Sequence, residues 1–415
     1  MAQAAGRRYA VEQRDGSRGR CEQGGTAVIA FTDSGTSVQA QLEGVHDQLR
    51  AELPGIVRIG VAVYDQRSDV LQTFIHSTKG QAPFALYEAK LSEVPSLALL
   101  ARDHCERIVD DLDALATRAE AQGAAPSQHT RQLLEHRYRS SYTKPFYDHG
   151  ELFGFLFYDS DRRGYFSEGV IRHLSIYSHL ISLLIIRGVS SARVVRSAVD
   201  IARQWSHLRD EETGAHLDRM SRYARLIARQ LAVSRRLNDE FIEFVFLFAP
   251  LHDIGKIAVP DRILLKAGRL SADEFEIMKS HVAKGVEMVD TMATQFAFNG
   301  AAHMDIMHNI VCYHHEAIDG SGYLAGLQGE AIPLEARIVT VADVFDALTT
   351  KRPYKEAWTD DDAFAFLASL AGKKFDADCV AALAGAKREV AQIKEHFGNG
   401  DNGFTGFQEA YLEGV

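Results

Sequence analysis

Cysteine is scarce: Cys21, Cys105, Cys312 and Cys379 lie far apart in 415 residues, and no CxxC pair occurs. That excludes a disulfide framework and reads as a reduced, cytosolic protein. Positive charge is not in excess either. Forty-six Lys and Arg face 56 Asp and Glu, a net charge of −10. A groove for polymeric nucleic acid would need a basic patch, so that partner is not expected. A small phosphate ligand held by a few local cations remains compatible. Long apolar runs are missing too. The most apolar stretch, Leu180-Ile181-Ser182-Leu183-Leu184-Ile185-Ile186, is far short of the roughly 20 residues that span a bilayer. The first residues lack the continuous apolar core of a signal peptide. No membrane span is therefore expected.

What is present is ordinary globular composition, 46% hydrophobic and 25% charged, at a length that suits about two or three domains. Residues 1–35 are rich in Gly, Arg, Ala and Gln and read as a flexible leader, with Arg7, Arg8, Arg14, Arg18 and Arg20 as a solvated basic arm. Residues 36–190 mix strands and helices. Ile56 to Tyr64 reads as a strand, with Val70 to Ile75 as its hairpin partner across a polar turn. Ser140 to Tyr147 and Glu151 to Tyr158 read as a second hairpin turning at Asp148-His149-Gly150. Residues 92–102 and 126–138 look helical. A near-continuous helical pattern covers 167–215, and Val194, Ala198, Ile201, Trp205 and Leu208 make a short heptad seam in it. That seam predicts a dimerising signal helix or a stripe packed on its own domain. From about 200 to 390 the pattern is mostly helical, and 391–415 reads as a tail. Phe241 to Leu251 predicts a buried helix, and Ser271-Ala272-Asp273-Glu274 predicts a capped helix start.

Metal-capable residues concentrate in this helical half. Glu212 and His216 are four apart and share a helix face. His252 and Asp253 are adjacent, and Lys256 follows; on a helix the first two side chains diverge by about 100°, which suits more than one ion. His281 stands on a predicted helix. His314-His315-Glu316 precedes the Gly-rich Asp319-Gly320-Ser321-Gly322-Tyr323. Asp343 ends the apolar run Ile338-Val339-Thr340-Val341-Ala342, where an unpaired carboxylate is costly. Five imidazoles and three carboxylates exceed one ion's needs. The mixed N/O set suits two or three iron or manganese ions, with zinc and nickel as alternatives. Such sites acidify water and bind the oxygens of an in-line displacement, so phosphoester hydrolysis is the natural chemistry.

In order, these stretches are Glu-Thr-Gly-Xaa-His (212–216), His-Asp-Xaa-Gly-Lys (252–256), His-Xaa-Xaa-Xaa-Gly (281–285), His-His-Glu-Xaa-Xaa-Asp-Gly-Xaa-Gly-Tyr (314–323), Ala-Asp-Val-Phe-Asp-Ala-Leu (342–348) and Arg-Pro-Tyr-Lys (352–355). The set resembles the HD-GYP family of bacterial cyclic-di-GMP phosphodiesterases. The resemblance covers about residues 200–390. It implies an all-α HD-type bundle in which His216, His252, Asp253, His281, His314, His315 and Asp343 are metal ligands, with Asp253 bridging. Glu212 is the acid that accompanies a third ion. Asp253 and Lys256 are the catalytic residues implied, with Lys256 on a substrate phosphate. Tyr323, Asp346, Arg352 and Lys355 are implied on the substrate side. The product is pGpG, with further cleavage to GMP left open. The third residue of the GYP motif is Leu324 rather than Pro, which predicts a freer loop. His207, His303 and His308 match no motif, and Glu316 is read as orienting a ligand imidazole.

The first half, with its helix, meandering antiparallel sheet and helix, resembles a GAF-type sensor domain in an α+β fold. No Asn-Lys-Xaa-Asp-Glu run of the cyclic-nucleotide-binding members occurs, and Cys105 and His149 read as ordinary residues rather than chromophore or haem ligands. The expected whole is a GAF-like domain that senses a small ligand, a linking helix that dimerises, and an HD-GYP output domain. The alternatives are a module that binds cyclic-di-GMP without hydrolysis and an HD hydrolase acting on another cyclic dinucleotide.

Overall fold

The computed structural model describes residues 37–78, 84, 86–123, 125–205, 214–266, 268–295, 303–351 and 356–398. The predicted Glu212, Arg352 and Lys355 lie outside these residues, as do the leader, Cys21, His207 and Leu208.

The first half opens with helix α1 (Val38–Glu52), capped by Ser37, whose side chain accepts from the Ala40 N–H. Strands β1 (Arg58–Asp65) and β2 (Val70–Thr78) form the predicted hairpin. Then come β3 (Glu88–Lys90), α2 (Pro95–Asp103), β4 (Arg107–Val109), α3 (Leu112–Ala121) and α4 (Gln128–Glu135). The second predicted hairpin is β5 (Ser140–Asp148) and β6 (Glu151–Ser160), its turn at His149 and Gly150 taking positive φ. The sheet order is β3-β2-β1-β6-β5-β4, with every neighbouring pair antiparallel. Alternation sets the two faces. Phe155 and Phe157 join Ala62, Leu71, Leu97 and Leu100 in a core beneath α2. Tyr158 turns the other way and its hydroxyl meets Ser178 at 2.9 Å on α5 (Glu168–Trp205). This helix–sheet–helix arrangement is the GAF-like fold expected. Cys105 is exposed.

Helix α5 is long and apolar enough over Glu168–Val194 to cross a membrane by length and composition. The short apolar run quoted above understates it. Yet Leu174, Ile181, Ile185 and Val189 are buried, and Gly188 lets α5 approach Val38 of α1 so closely that a Cβ would lie 2.7 Å from it. The helix packs as an outer layer of the first half. Of the predicted heptad seam only Val194 has a described side chain, and it is exposed.

The second half is all α. It comprises α6 (Gly214–Arg235), α7 (Asp239–Phe248), the single turn α8 (Asp261–Leu264), α9 (Ala272–Gln295), α10 (Met304–Tyr313), α11 (Leu334–Thr349), α12 (Asp360–Leu370), α13 (Ala377–Gly385) and α14 (Lys387–His396). The predicted start of α9 is a reciprocal capping box: Glu274 N–H donates to Ser271 Oγ, and Ser271 N–H donates to Glu274. Every residue from Glu335 to Thr349 of α11 is buried, the mark of a central helix. Helix α6 packs against α7, α11, α13 and α14. Because α14 runs to His396, the expected tail from 391 is helical at its start, with Val390 buried beneath it.

Candidate metal centre

His252 and Asp253 do not sit on an α-helix as assumed from sequence. Helix α7 ends at Phe248, and Pro250 opens a 3-10 turn over Ala249–Leu251. A second 3-10 turn, Ile254–Ala258, follows Asp253. The second turn lies almost on the backbone of α9. A Cβ at Gly255 would sit 1.8 Å from His281 O and 2.4 Å from Gly285 N. Glycine in His-Asp-Xaa-Gly-Lys and in His-Xaa-Xaa-Xaa-Gly is thus what lets the two backbones meet. That contact brings Asp253 Oδ1 within 3.1 Å of His281 Nε2.

Seven of the predicted ligands converge in two groups. Asp253, His281, His314 and His315 form one, and His216, His252 and Asp343 the other; all are buried, and within each group the ligand atoms lie within 4.8 Å of one another. Asp253 touches both groups. Its Oδ1 is 3.6 Å from His314 Nε2, and its Oδ2 is 3.0 Å from His252 Nε2. His252 Nε2 in turn lies 3.9 Å from Asp343 Oδ1, and His216 Nε2 lies 3.6 Å from the same oxygen.

Backbone carbonyls orient the imidazoles. His252 Nδ1 donates to Ala249 O at 2.9 Å, His281 Nδ1 to Met278 O at 2.7 Å, and His314 Nδ1 to Ile310 O at 3.1 Å. A donating Nδ1–H leaves the lone pair on Nε2, and each Nε2 faces the carboxylates. Burial lowers the pKa of His314, and burial with the neighbouring His314 and His281 holds His315 well below the usual histidine range. Both are thus neutral donors. Burial alone would raise Asp253, but the charges of Lys256 and His252 outweigh it and hold the carboxyl well below its ordinary range. Oriented imidazoles, buried carboxylates and a mixed N/O donor set fit divalent first-row metals. Glu212, on which a third ion depends, lies outside the described residues.

Lys256 is in the site, its Nζ 2.8 Å from Asp253 Oδ2 and nearly buried. Tyr323 stacks on His315, centroids 4.7 Å apart, and meets Phe275 edge-on. Lys279 Nζ lies 5.7 Å from the Tyr323 ring.

Two sequence assignments change. Asp346 does not face a substrate. It is fully buried, takes His216 Nδ1 at 2.7 Å and is gripped by Arg219 through Nε at 2.7 Å and Nη2 at 2.8 Å. It therefore orients a ligand imidazole. Glu316 does not orient an imidazole. Its carboxylate accepts the N–H groups of Ala325, Gly326 and Leu327 at 2.7–3.0 Å. Beside it, a Cβ at Gly322 would lie 2.5 Å from both Glu316 Cα and His315 O. The loop around Leu324 is therefore held by the His-His-Glu segment rather than by a proline. Arg219 was not found from sequence. The signal was there: Arg219 follows His216 by three, as Asp346 follows Asp343 by three, so each pair shares one helix face.

The helical half is similar to known proteins. A family model described as an HD domain matches residues 208–379. The match falls within the helical half. Over 189 residues the chain is 49% identical to the cyclic di-GMP phosphodiesterase response regulator RpfG of Xanthomonas campestris pv. campestris, covering 46% of this chain and 47% of that protein. It is 37% identical over 220 residues to a cyclic di-GMP phosphodiesterase of Thermotoga maritima, covering 52% of this chain and 57% of that protein. It is also 39% identical over 175 residues to 3'3'-cGAMP-specific phosphodiesterase 2 of Vibrio cholerae, covering 42% of this chain and 31% of that protein. The chain spans about half the length, or less, of the curated relatives it matches. Among solved structures, a GAF domain/HD domain protein from Geobacter sulfurreducens aligns over 37% of this chain and 93% of its own, with 16% identity and a TM-score of 0.28. A score this low adds no weight to the fold described above.

Proposed function

We propose that the HD domain is a metal-dependent phosphodiesterase that opens cyclic-di-GMP to pGpG. The observation that carries this reading is the placing of Asp253 between the His281/His314/His315 group and His252 of the second group. One carboxylate shared by two ligand sets is the plan of a two-ion hydrolytic centre. Iron or manganese held by these seven residues would supply acidity to a water and positive charge to the phosphoryl oxygens. Water adds to phosphorus, the P–O3′ bond breaks, and a proton goes to the 3′ oxygen. Around that reaction this chain's own groups have separate tasks. Lys256 brings an ammonium to the phosphate side of Asp253. Tyr323 offers a ring on the substrate side, backed by His315. Arg352 and Lys355 are assigned to the phosphates by the motif resemblance alone, and Glu212 to a third ion likewise.

The test is purification under anaerobic conditions, metal quantification, and product analysis on cyclic-di-GMP and 3′3′-cGAMP side by side. Cyclic-di-GMP turnover to pGpG is expected, and Asp253→Ala is expected to lose both metal and turnover. Near wild-type turnover by Asp253→Ala sinks the assignment. Metal loading without turnover favours a binding module, and preference for 3′3′-cGAMP moves the substrate within the same chemistry.

The domain plan proposed with this function is a GAF-like sensor over 36–190 and the HD domain over 200–390, working in the cytoplasm as a homodimer through α5. Supporting the dimer, Ile176, Leu183 and Val194 are exposed on α5 at separations of seven and eleven, one stripe of a heptad pattern. Leu183→Glu is expected to give a monomer by light scattering.

A further inference from the structure

The sensor domain encloses a cavity of about 410 Å3 between the sheet and α2, α3 and α4. This is within the size range of small-ligand sites. Most of its wall is apolar, including Val61, Leu71, Ile75 and Leu133. One end is different. Arg58, Arg107 and His129 line it together. His129 stacks on Phe84, centroids 4.4 Å apart, and the Arg58 guanidinium also lies over the Phe84 ring, 4.9 Å from its centroid.

The charges at this end do not balance. Arg58 is paired with Asp159, and both are buried. Arg107 has no ion pair among the described residues; Glu106 beside it is taken by Lys144 at 2.7 Å. The one hydrogen bond recorded for Arg107 is a long one, 3.5 Å to Thr143 Oγ1. Its Nε is buried with no hydrogen-bond partner, as is Nε of Arg58, which is 3% exposed. Burial lowers the Arg107 pKa, and burial with the charges of Arg58 and Arg107 drives His129 down to about 3, so the imidazole adds no charge. Glu93, the acid on the cavity wall, is exposed at the surface. The pole therefore carries one uncompensated positive charge next to an apolar chamber. Arg107 is half-buried, and a guanidinium that faces an apolar chamber without an anion is costly.

We propose that this cavity binds a small monoanion with an apolar body, an aromatic or medium-chain carboxylic acid, whose carboxylate pairs with Arg107 beside Arg58. A singly charged group matches the one unbalanced charge, and the Val, Leu and Ile wall takes the remainder. Phosphate monoesters and dicarboxylates carry too much charge for the pole. Binding here does not depend on what the HD domain hydrolyses, so the measurement is separate from the phosphodiesterase assay.

The experiment is calorimetric titration of the full chain with phenylacetate and octanoate, each against its neutral amide, phenylacetamide and octanamide. At least one acid is expected to bind about tenfold or more tightly than its amide, the scale of a charge-assisted hydrogen bond. Arg107→Leu is expected to erase that preference while melting no lower than wild type without ligand. Arg107→Lys is expected to keep part of it. Failure of both acids to bind, equal binding of acid and amide, or an unchanged preference in Arg107→Leu overturns the proposal. If Arg107→Leu does not fold, the acid-to-amide comparison on the wild-type chain decides alone.

Discussion

Asp346→Asn is the perturbation that separates orienting a ligand from binding a metal. Asp346 is fully buried and accepts from His216 Nδ1, from Arg219 twice, and from Thr350 at 3.2 Å. Burial alone would raise its pKa, but the hydrogen bonds and charges of His216 and Arg219 bring it down to about 2. An asparagine keeps the shape. Its oxygen still accepts from His216, but its NH2 then points at the Arg219 guanidinium, donor against donor. Breaking a buried pair by neutralising one partner costs about 3–5 kcal/mol. Arg219 retains Thr350 Oγ1 at 2.8 Å and the carbonyls of Phe397 and Gly398. The lower end, about 3 kcal/mol, is therefore expected. Mutating an outer partner of a ligand histidine weakens metal binding by about 10–100-fold; here the hydrogen bond survives but a neutral oxygen makes the imidazole a weaker base. Here the loss falls on the His216/His252/Asp343 group and leaves the other group intact. Manganese titration of the full chain, read beside thermal unfolding, checks both numbers. Arg219→Met combined with Asp346→Asn removes the donor clash, so stability returns while the metal deficit stays. Wild-type affinity for every ion in Asp346→Asn, or restored affinity in the double variant, refutes the reasoning.

Glu316→Gln leaves one oxygen for three N–H groups and is expected to cost about 1–3 kcal/mol. Faster limited proteolysis near 324–327, with ligand stoichiometry unchanged, is the readout. Leu324→Pro is expected to change metal content not at all, because Leu324 is exposed and the loop is held by Glu316. Two single variants should tilt the stability–pH profile in opposite directions. Burial lowers His303 from 6.5 to about 4, so its folded form resists protonation. That stability is present above about pH 6.5 and is lost as pH falls towards 4, and His303→Phe should flatten this arm. Burial outweighs hydrogen bonds from Thr73 and Leu86 and raises Asp239 from 3.8 to about 7. That contribution is present below about pH 4 and is lost as pH rises through 7, and Asp239→Asn should flatten this arm instead. Denaturant midpoints at several pH values test both, and a tilt of the same sign in the two variants is the wrong result.

The 252–256, 281–285 and 314–323 motifs were legible because each sets a ligand near a glycine that brings backbones close, as in Gly255 against His281. Both hairpins were legible from alternation and turn residues. Arg219 was missed because its role depends on a residue distant in sequence, and Glu316 was misread because its partners are backbone N–H groups, which residue identity does not reveal. Arg219 reaches 127 residues to Asp346. Helices α1, α3, α13 and α14 went unassigned in the sequence. The face of α14 is narrow, since it buries Val390 alone among its residues.

Helix α7 shows best what the linear reading misses. Its apolar residues predicted burial, and its acids carried no assignment. In the structure those acids dock the sensor domain. Glu240 accepts the N–H groups of Val38 at 2.9 Å and Gln39 at 3.4 Å, satisfying free donors at the start of α1. Asp239 accepts from Leu86 N at 3.0 Å, and Glu243 accepts from Gln72. Gln72 also lines the sensor cavity, as does Thr73. From Phe248 the chain passes through the single turn Ala249–Leu251 into His252 and Asp253. Gln72, Glu243 and α7 therefore join the cavity wall to the turn that carries His252 and Asp253. A shift of β2 would therefore act on a buried helix that ends one 3-10 turn before His252 and Asp253.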